Sequence, residues 1–197
     1  MIYKICRAIV YLINCIWFKF SIIGKENIPR EGSALICPNH VSIYDPCVIA
    51  SITPREIHFM AKAELFKNPL LGWLLTKCHA FPVNREKVGI DTIKTSLKIL
   101  KENQLLGIFP EGKRVKAGER IQAASGFVVF AIKTKSPIIP VGIRGEYKFR
   151  QKVEIIVGEP IYLTEYYGKK LSEEETVALG KNIMDIVYGL NKMESIA

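Results

Sequence analysis

Short apolar runs alternate with longer amphipathic stretches along most of this 197-residue chain. That alternation restricts it to few folds. The short runs predict strands at residues 34–37, 57–61, 80–83, 105–109, 138–143 and 153–157. The longer stretches predict helices at 46–52, 69–78, 91–102, 121–134 and 172–190. The last has a clear start, because Ser172 followed three residues later by Glu175 is a capping-box pattern. Strands alternating with helices give an α/β fold with a largely parallel central sheet flanked by helices. Functional loops in such folds gather at the carboxyl ends of the strands. No repeat, low-complexity tract or linker divides the sequence, and its length suits one sizeable core.

Residues 1–23 differ in character. They are strongly apolar, and Lys4, Arg7, Tyr11 and Asn14 recur at helical spacing as one narrow polar stripe. The uncharged run 8–18 is shorter than the roughly 20 residues a spanning helix needs. The absence of a small-residue cleavage site argues against a signal peptide. Apolar residues cover most of the circumference, so the expectation is a membrane-associating helix over 1–23 that lies in the interface. Tyr11, Trp17 and Phe18 would sit at headgroup depth, and Lys4, Arg7 and Lys19 would face anionic lipid. The alternative is an ordinary core helix.

Charge points the same way. The formal net charge is +9, which favours an anionic partner: nucleic acid, an anionic membrane surface or a phosphorylated substrate. No RNA-binding aromatic signature or zinc-finger spacing is present, so no nucleic-acid partner is expected. The five cysteines are spread out and include no C-x-x-C pair. They read as reduced thiols in a cytosol-facing protein and argue against structural zinc.

Three segments carry candidate chemistry. Asn39-His40-Val41-Ser42-Ile43-Tyr44-Asp45-Pro46 follows the first predicted strand. Asp45 before Pro46 reads as a helix N-cap, and the turn could fold His40 back onto the Asp45 carboxylate. A carboxylate on one imidazole nitrogen fixes the tautomer and frees the other as a general base. Cys37 lies near enough in sequence to suggest a Cys–His nucleophile, but it closes an apolar run that reads as buried strand. Phe109-Pro110-Glu111-Gly112-Lys113-Arg114 follows the fourth predicted strand. Gly107 to Lys113 nearly matches a P-loop, yet Arg114 stands where a Ser or Thr must ligand magnesium. An anion site built from side chains fits better. Lys113 and Arg114 can bind a phosphomonoester, and Glu111 can accept from a substrate hydroxyl or orient Arg114. Arg85, after Phe81-Pro82-Val83-Asn84, offers another phosphate ligand.

Together these segments resemble the glycerolipid acyltransferases. The N-H-x-x-x-x-D block is matched by Asn39, His40 and Asp45. An arginine after an aromatic-rich strand is matched by Arg85, and F-P-E-G-T-R by Phe109, Pro110, Glu111, Gly112 and Arg114. The proline-punctuated strand is matched by Pro137-Ile138-Ile139-Pro140-Val141. Lys113 replaces the usual threonine, Val115 the usual serine, and His79 stands where glycine is common.

The resemblance implies an acyltransferase domain over 24–197. It implies transfer of a fatty acyl group from acyl-CoA or acyl-carrier protein to the sn-2 hydroxyl of 1-acylglycerol 3-phosphate, giving phosphatidic acid. Glycerol 3-phosphate or another lysolipid is an alternative acceptor, and a non-catalytic lipid-binding protein is an alternative of another class. His40 would be the base and Asp45 its orienting partner. Asn39, Arg85, Glu111, Gly112, Lys113 and Arg114 would contact the lysophospholipid, with no metal or bound cofactor. Leu70, Leu71, Trp73 and Leu74 would line an acyl channel or pack in the core. The expected location is the cytoplasmic face of the cell membrane, peripheral or monotopic.

Overall fold

The computed structural model describes residues 1–84, 88–116, 119–121 and 123–191. Its strands are β1 (Lys19–Ile23), β2 (Ala34–Pro38), β3 (Ile57–Lys62), β4 (Phe81–Val83), β5 (Leu105–Gly107), β6 (Ile138–Gly145) and β7 (Lys152–Val157). Its α-helices are α1 (Ile2–Trp17), α2 (Asp45–Ser51), α3 (Pro69–Lys77), α4 (Ile90–Lys101), α5 (Gly126–Thr134) and α6 (Glu173–Leu190). The strands form one sheet in the order β1-β7-β6-β2-β5-β3-β4. Every neighbouring pair is parallel except the β6–β7 hairpin.

Strand β2 lies at the centre and is buried along its length. Its side chains alternate between two cores. Ala34 and Ile36 join Val48, Ile49 and Phe18 on the face covered by α2. Leu35 and Cys37 join Leu100, Phe127 and Ile183 on the face covered by α4, α5 and α6. Packing on both sides fixes its register, since a one-residue slip would exchange the two sets. The chain therefore leaves the carboxyl end of β2 at a well-determined point, and Asn39 and His40 follow it directly.

The amino-terminal segment departs from expectation in two ways. The helix ends at Trp17, and residues expected to continue it form edge strand β1 against β7. The β7 partner lies far along the chain, so local pattern could not separate β1 from the apolar helix before it. The boundary expected at residue 23 thus falls inside the sheet-forming domain. Two residues of the polar stripe of α1, Arg7 and Asn14, turn inward, while Lys4 and Tyr11 stay exposed. Asn14 is fully buried and donates to Ser51 Oγ at 3.2 Å, while Tyr44 Oη donates to Asn14 Oδ1 at 2.9 Å. Arg7 donates to the Thr53 carbonyl at 2.9 Å, and Tyr3 Oη accepts the Ile57 N–H at 2.9 Å. Phe18 is buried against Tyr44 and Tyr147 rather than exposed. Ile5, Ile9, Leu12, Ile13, Ile16 and Trp17 face outward. Among the described residues no helix is long and apolar enough to cross a membrane.

Two further differences have tertiary causes. The helix expected from residue 121 starts at Gly126, because Ala124 N–H is drawn to the Pro110 carbonyl at 2.8 Å. Leu70, Leu71, Trp73 and Leu74 are surface residues of α3, not core. Helix α6 begins at its expected capping box: Ser172 Oγ accepts the Glu175 N–H at 3.1 Å, and Glu175 accepts the Ser172 N–H at 2.7 Å. Ser172→Ala should cost about 1 kcal/mol in urea unfolding; an unchanged midpoint would show that the cap contributes nothing.

Candidate active site

Asn39 extends the sheet by a side chain. Its Oδ1 accepts the Ile143 N–H at 2.7 Å, and its Nδ2 donates to the Ile143 carbonyl at 3.2 Å. The amide thereby mimics a strand partner for β6 and fixes where the next residue emerges. That next residue is His40, which is almost wholly buried.

Asp45 reaches His40. Its Oδ2 lies 2.8 Å from His40 Nδ1 and also accepts the Val41 and Ser42 N–H groups, each at 2.7 Å. Its Oδ1 accepts from Tyr147 Oη at 2.8 Å. Asp45 is fully buried and is the first residue of α2. The N-cap expectation is therefore corrected. The cap position is Tyr44, no side chain caps the helix, and the carboxylate bonds backward to the loop amides. This backward bonding closes the loop and brings the imidazole onto the carboxylate. With Nδ1 so held, Nε2 has no hydrogen-bond partner among the described residues.

The segment after β5 wraps the histidine from the other side. Glu111 Oε2 accepts the His40 backbone N–H at 2.5 Å, and the Val115 N–H donates to the His40 carbonyl at 2.8 Å. The Phe109 ring lies 4.2 Å from the imidazole, tilted by 30°. Tyr188 Oη, on α6, donates to Glu111 Oε1 at 2.8 Å. Both Glu111 oxygens thus bond to the protein, and no Glu111–Arg114 ion pair forms among the described residues. Glu111 grips the peptide of the histidine, and the expected orientation of Arg114 by Glu111 does not form among the described residues. Burial pushes its carboxyl above the usual range, and the bonds from Tyr188 and the His40 N–H oppose that rise.

Gly112, Lys113 and Arg114 project outward. Gly112 adopts a left-handed φ of 67°, which turns the chain from the buried Glu111 to the exposed pair. Lys113 and Arg114 have no ion-pair partner among the described residues. They line an open cleft of about 440 Å³ with Val41, Val115 and Lys116. A more enclosed cavity of about 270 Å³ lies on the Glu111 side, bordered by Asn39, Arg120, Arg144 and Tyr188. Val41, Val115 and Lys116 line both, so the two cavities adjoin at the residue after His40, although His40 itself lines neither. Arg85 lies outside the described residues.

The other candidate groups fall elsewhere. Cys37 is fully buried in the sheet, and burial pushes its thiol well up, which excludes a thiolate nucleophile. His79 pairs with Glu56 at 3.0 Å, at the amino end of the strands and away from His40. Its φ of 61° accounts for the glycine common at that position.

This arrangement can take a proton at Nε2 and hold the resulting imidazolium against Asp45, and the loop that bonds the His40 backbone carries two exposed cations that can bind an anion. The Acyltransferase family matches residues 19–144, which include every contact around His40 except that of Tyr188 and of the Tyr147 loop. The chain belongs to this acyltransferase family. A 1-acyl-sn-glycerol-3-phosphate acyltransferase of Bacillus subtilis (strain 168) is 32% identical over 200 aligned residues, covering 97% of this chain and 100% of that protein. One of the same name from Streptococcus pneumoniae (strain ATCC BAA-255 / R6) is 33% identical, covering 90% of this chain and 69% of that one. The crystal structure of the acyltransferase PlsC from Thermotoga maritima shares the fold, with a TM-score of 0.75 at 23% identity, over 98% of this chain and 81% of that one. The chain is thus an enzyme of acyl transfer.

Two of the acyltransferase site's residues escaped sequence reasoning. Tyr147 and Tyr188 lie 102 and 77 residues from the carboxylates they bond. Neither stands in a recognisable block; Tyr188 interrupts the polar face of the last helix as the one weak signal. If Glu111 holds the histidine, Glu111→Ala should lower kcat about 100-fold and leave the acceptor's KM within about threefold. Steady-state kinetics would check this, and a KM effect exceeding the kcat effect would return Glu111 to substrate binding.

Proposed function

We propose that this acyltransferase moves a fatty acyl group from an acyl-CoA or acyl-carrier-protein thioester to the sn-2 hydroxyl of 1-acylglycerol 3-phosphate. The products are phosphatidic acid and free thiol. The observation that carries the reading is the buried His40–Asp45 pair, held by a loop that carries two exposed cations with no ion-pair partner among the described residues. The names of the Bacillus and Streptococcus relatives support this acceptor.

In the proposed step His40 Nε2 takes the proton of the acceptor hydroxyl as its oxygen attacks the thioester carbonyl carbon. Asp45 holds the imidazolium that forms. The tetrahedral intermediate collapses, the C–S bond breaks, and the leaving thiolate takes the proton back from His40. The acceptor is the nucleophile, so no acyl-enzyme forms. Lys113 and Arg114 hold the acceptor's phosphate, Arg114 with its planar fork, and Arg85 is proposed as a third cation.

The proposed setting is the cytoplasmic face of an anionic membrane, occupied without spanning it. Support comes from α1, whose Arg7 and Asn14 bond inward while Ile5, Ile9, Leu12, Ile13, Ile16 and Trp17 face out together with Lys4. Ile43 and Phe149 extend this apolar surface around the carboxyl end of the sheet, and Ile43 is 72% exposed within the His40–Asp45 loop itself. An acceptor held in a bilayer by its acyl chain could then present its headgroup to the cleft.

His40→Ala should reduce acceptor-dependent thiol release from acyl-CoA by at least about 1,000-fold with the fold retained. Retained turnover would remove the mechanism, and no thiol release by the unaltered protein would favour a lipid-binding role. Arg114→Ala should raise the acceptor's KM about tenfold or more while the donor's changes little; equal effects would argue against phosphate binding. Ile9→Asp with Ile16→Asp alters only exposed positions and should abolish co-sedimentation with anionic vesicles. Unchanged sedimentation would reject α1 as the membrane contact.

A further inference from the structure

Asp45 is held on two sides, and the mechanism uses only one. Oδ2 bonds His40 and the loop amides. Oδ1 accepts from Tyr147 Oη at 2.8 Å, its one partner among the described residues. A carboxylate with no exposed surface cannot rely on water for that oxygen. Tyr147 is also held independently of the dyad. Its ring packs edge-on against Tyr44 at 5.4 Å and against Phe18 at 5.7 Å. Its loop, residues 146–151, is tied to the end of α1, since the Arg150 N–H donates to the Trp17 carbonyl at 2.7 Å. Phe149 meets Trp17 edge-on at 5.0 Å. The hydroxyl is therefore a donor on a fixed support, not a side chain that follows Asp45.

We propose that Tyr147 is a positioning residue for acyl transfer: its hydroxyl locks the Asp45 carboxylate in the orientation that serves His40 and sets how much negative charge Asp45 presents to the imidazole. The inference rests on His40 acting as the general base. Burial, followed by the Asp45 charge, pushes the Tyr147 phenol well up, so it stays a donor throughout the working range. The other titratable groups around the pair are Tyr44 at the cap position of α2, Cys47 on α2 and Glu111 on the opposite loop. Tyr44 gives its hydroxyl to Asn14, and Cys47 lies on the exposed side of α2. Glu111 is bonded to Tyr188 and to the His40 backbone. Tyr147 alone among them donates to Asp45 from a side chain other than His40.

The consequence has a sign. Without the Tyr147 donor, Asp45 directs more of its charge to the imidazole, the dyad holds its proton more tightly, and the base becomes available only at higher pH. Tyr147→Phe keeps the ring and removes the donor. Acyl-CoA thiol release with 1-acylglycerol 3-phosphate in mixed micelles, followed from pH 5 to 9, reads the effect. The kcat should fall about tenfold, and the acidic limb of kcat/KM should move up by about half a pH unit or more. The acceptor's KM should stay within twofold. Tyr44→Phe, in the same aromatic cluster, should leave the limb in place.

Where Tyr147→Phe folds poorly, 3,5-difluorotyrosine at 147 keeps ring and hydroxyl, strengthens the donor, and should move the limb down. An unmoved limb in both variants overturns the proposal, even where kcat falls, because a merely structural hydroxyl would lower the rate without altering the pH dependence. His40→Ala in the same assay separates the two ideas. If it is inactive, an unmoved limb rejects Tyr147 alone; if it turns over, the general-base reading fails and Tyr147 with it.

Discussion

A carboxylate with no exposed surface organises this site. Burying the charge of Asp45 would cost several kcal/mol if it were left unsatisfied. The fold meets that cost with donors from separate places: two amides and an imidazole of its own loop, and a phenol from the β6–β7 loop. Each bond also fixes the group that donates it. The loop closes because its amides turn toward Asp45, and the imidazole has one orientation because Oδ2 accepts only from the direction those amides leave open. The charge that makes the site expensive to bury is thus the same charge that makes it rigid. A general base gains from that rigidity, because proton transfer needs the imidazole held within hydrogen-bond reach of a hydroxyl.

The loop after β5 divides its work at a glycine. Before the turn, Phe109 lies against the imidazole and Glu111 holds the peptide of the histidine; after it, Lys113 and Arg114 face the cleft. The positive φ of Gly112 makes the reversal possible in one residue. Val115 then turns back in, and its N–H bonds the His40 carbonyl. Both backbone polar groups of His40 are therefore satisfied by one loop, and the same loop carries the two exposed cations. Covalent connection places the cations and the histidine relative to one another more dependably than two independent elements would.

What could be read from the sequence follows from which signals are local. The alternation of strands and helices, the capping box at Ser172 and the closeness of His40 to Asp45 are short-range patterns, and each has its counterpart in the fold. Edge strand β1 was hidden because its partner β7 is distant and its composition continues that of α1. Tyr147 and Tyr188 were hidden for the same reason, since each meets its carboxylate only through the packing of the sheet and of α6. The Asp45-Pro46 pair misled in direction only. A carboxylate at a helix start can serve the amides ahead of it or behind it, and the histidine decided in favour of the loop. Glu111 was legible as a site residue but its protein partners were not, because a backbone N–H and a tyrosine 77 residues away leave no local pattern.

Helix α1 reverses the usual sense of amphipathicity. Two of its polar residues turn inward, Asn14 bonding Ser51 and Tyr44 and Arg7 bonding a carbonyl, while Lys4 stays exposed. An inward face of this kind attaches the helix by directional bonds and leaves the apolar residues for the outside. The carboxyl end of α1 then lies beside loop 146–151, where Phe149 and Trp17 continue the apolar surface while Tyr147, two residues earlier, turns inward to Asp45. The outer surface proposed to meet lipid and the innermost bond of the dyad thus share one short loop. Arg150 binds that loop to the Trp17 carbonyl, and Asn14 of the same helix accepts from Tyr44. Helix α1 is thus bonded both to the residue before Asp45 and to the loop that carries Tyr147, so the apolar exterior and the buried carboxylate are joined by short hydrogen-bonded paths.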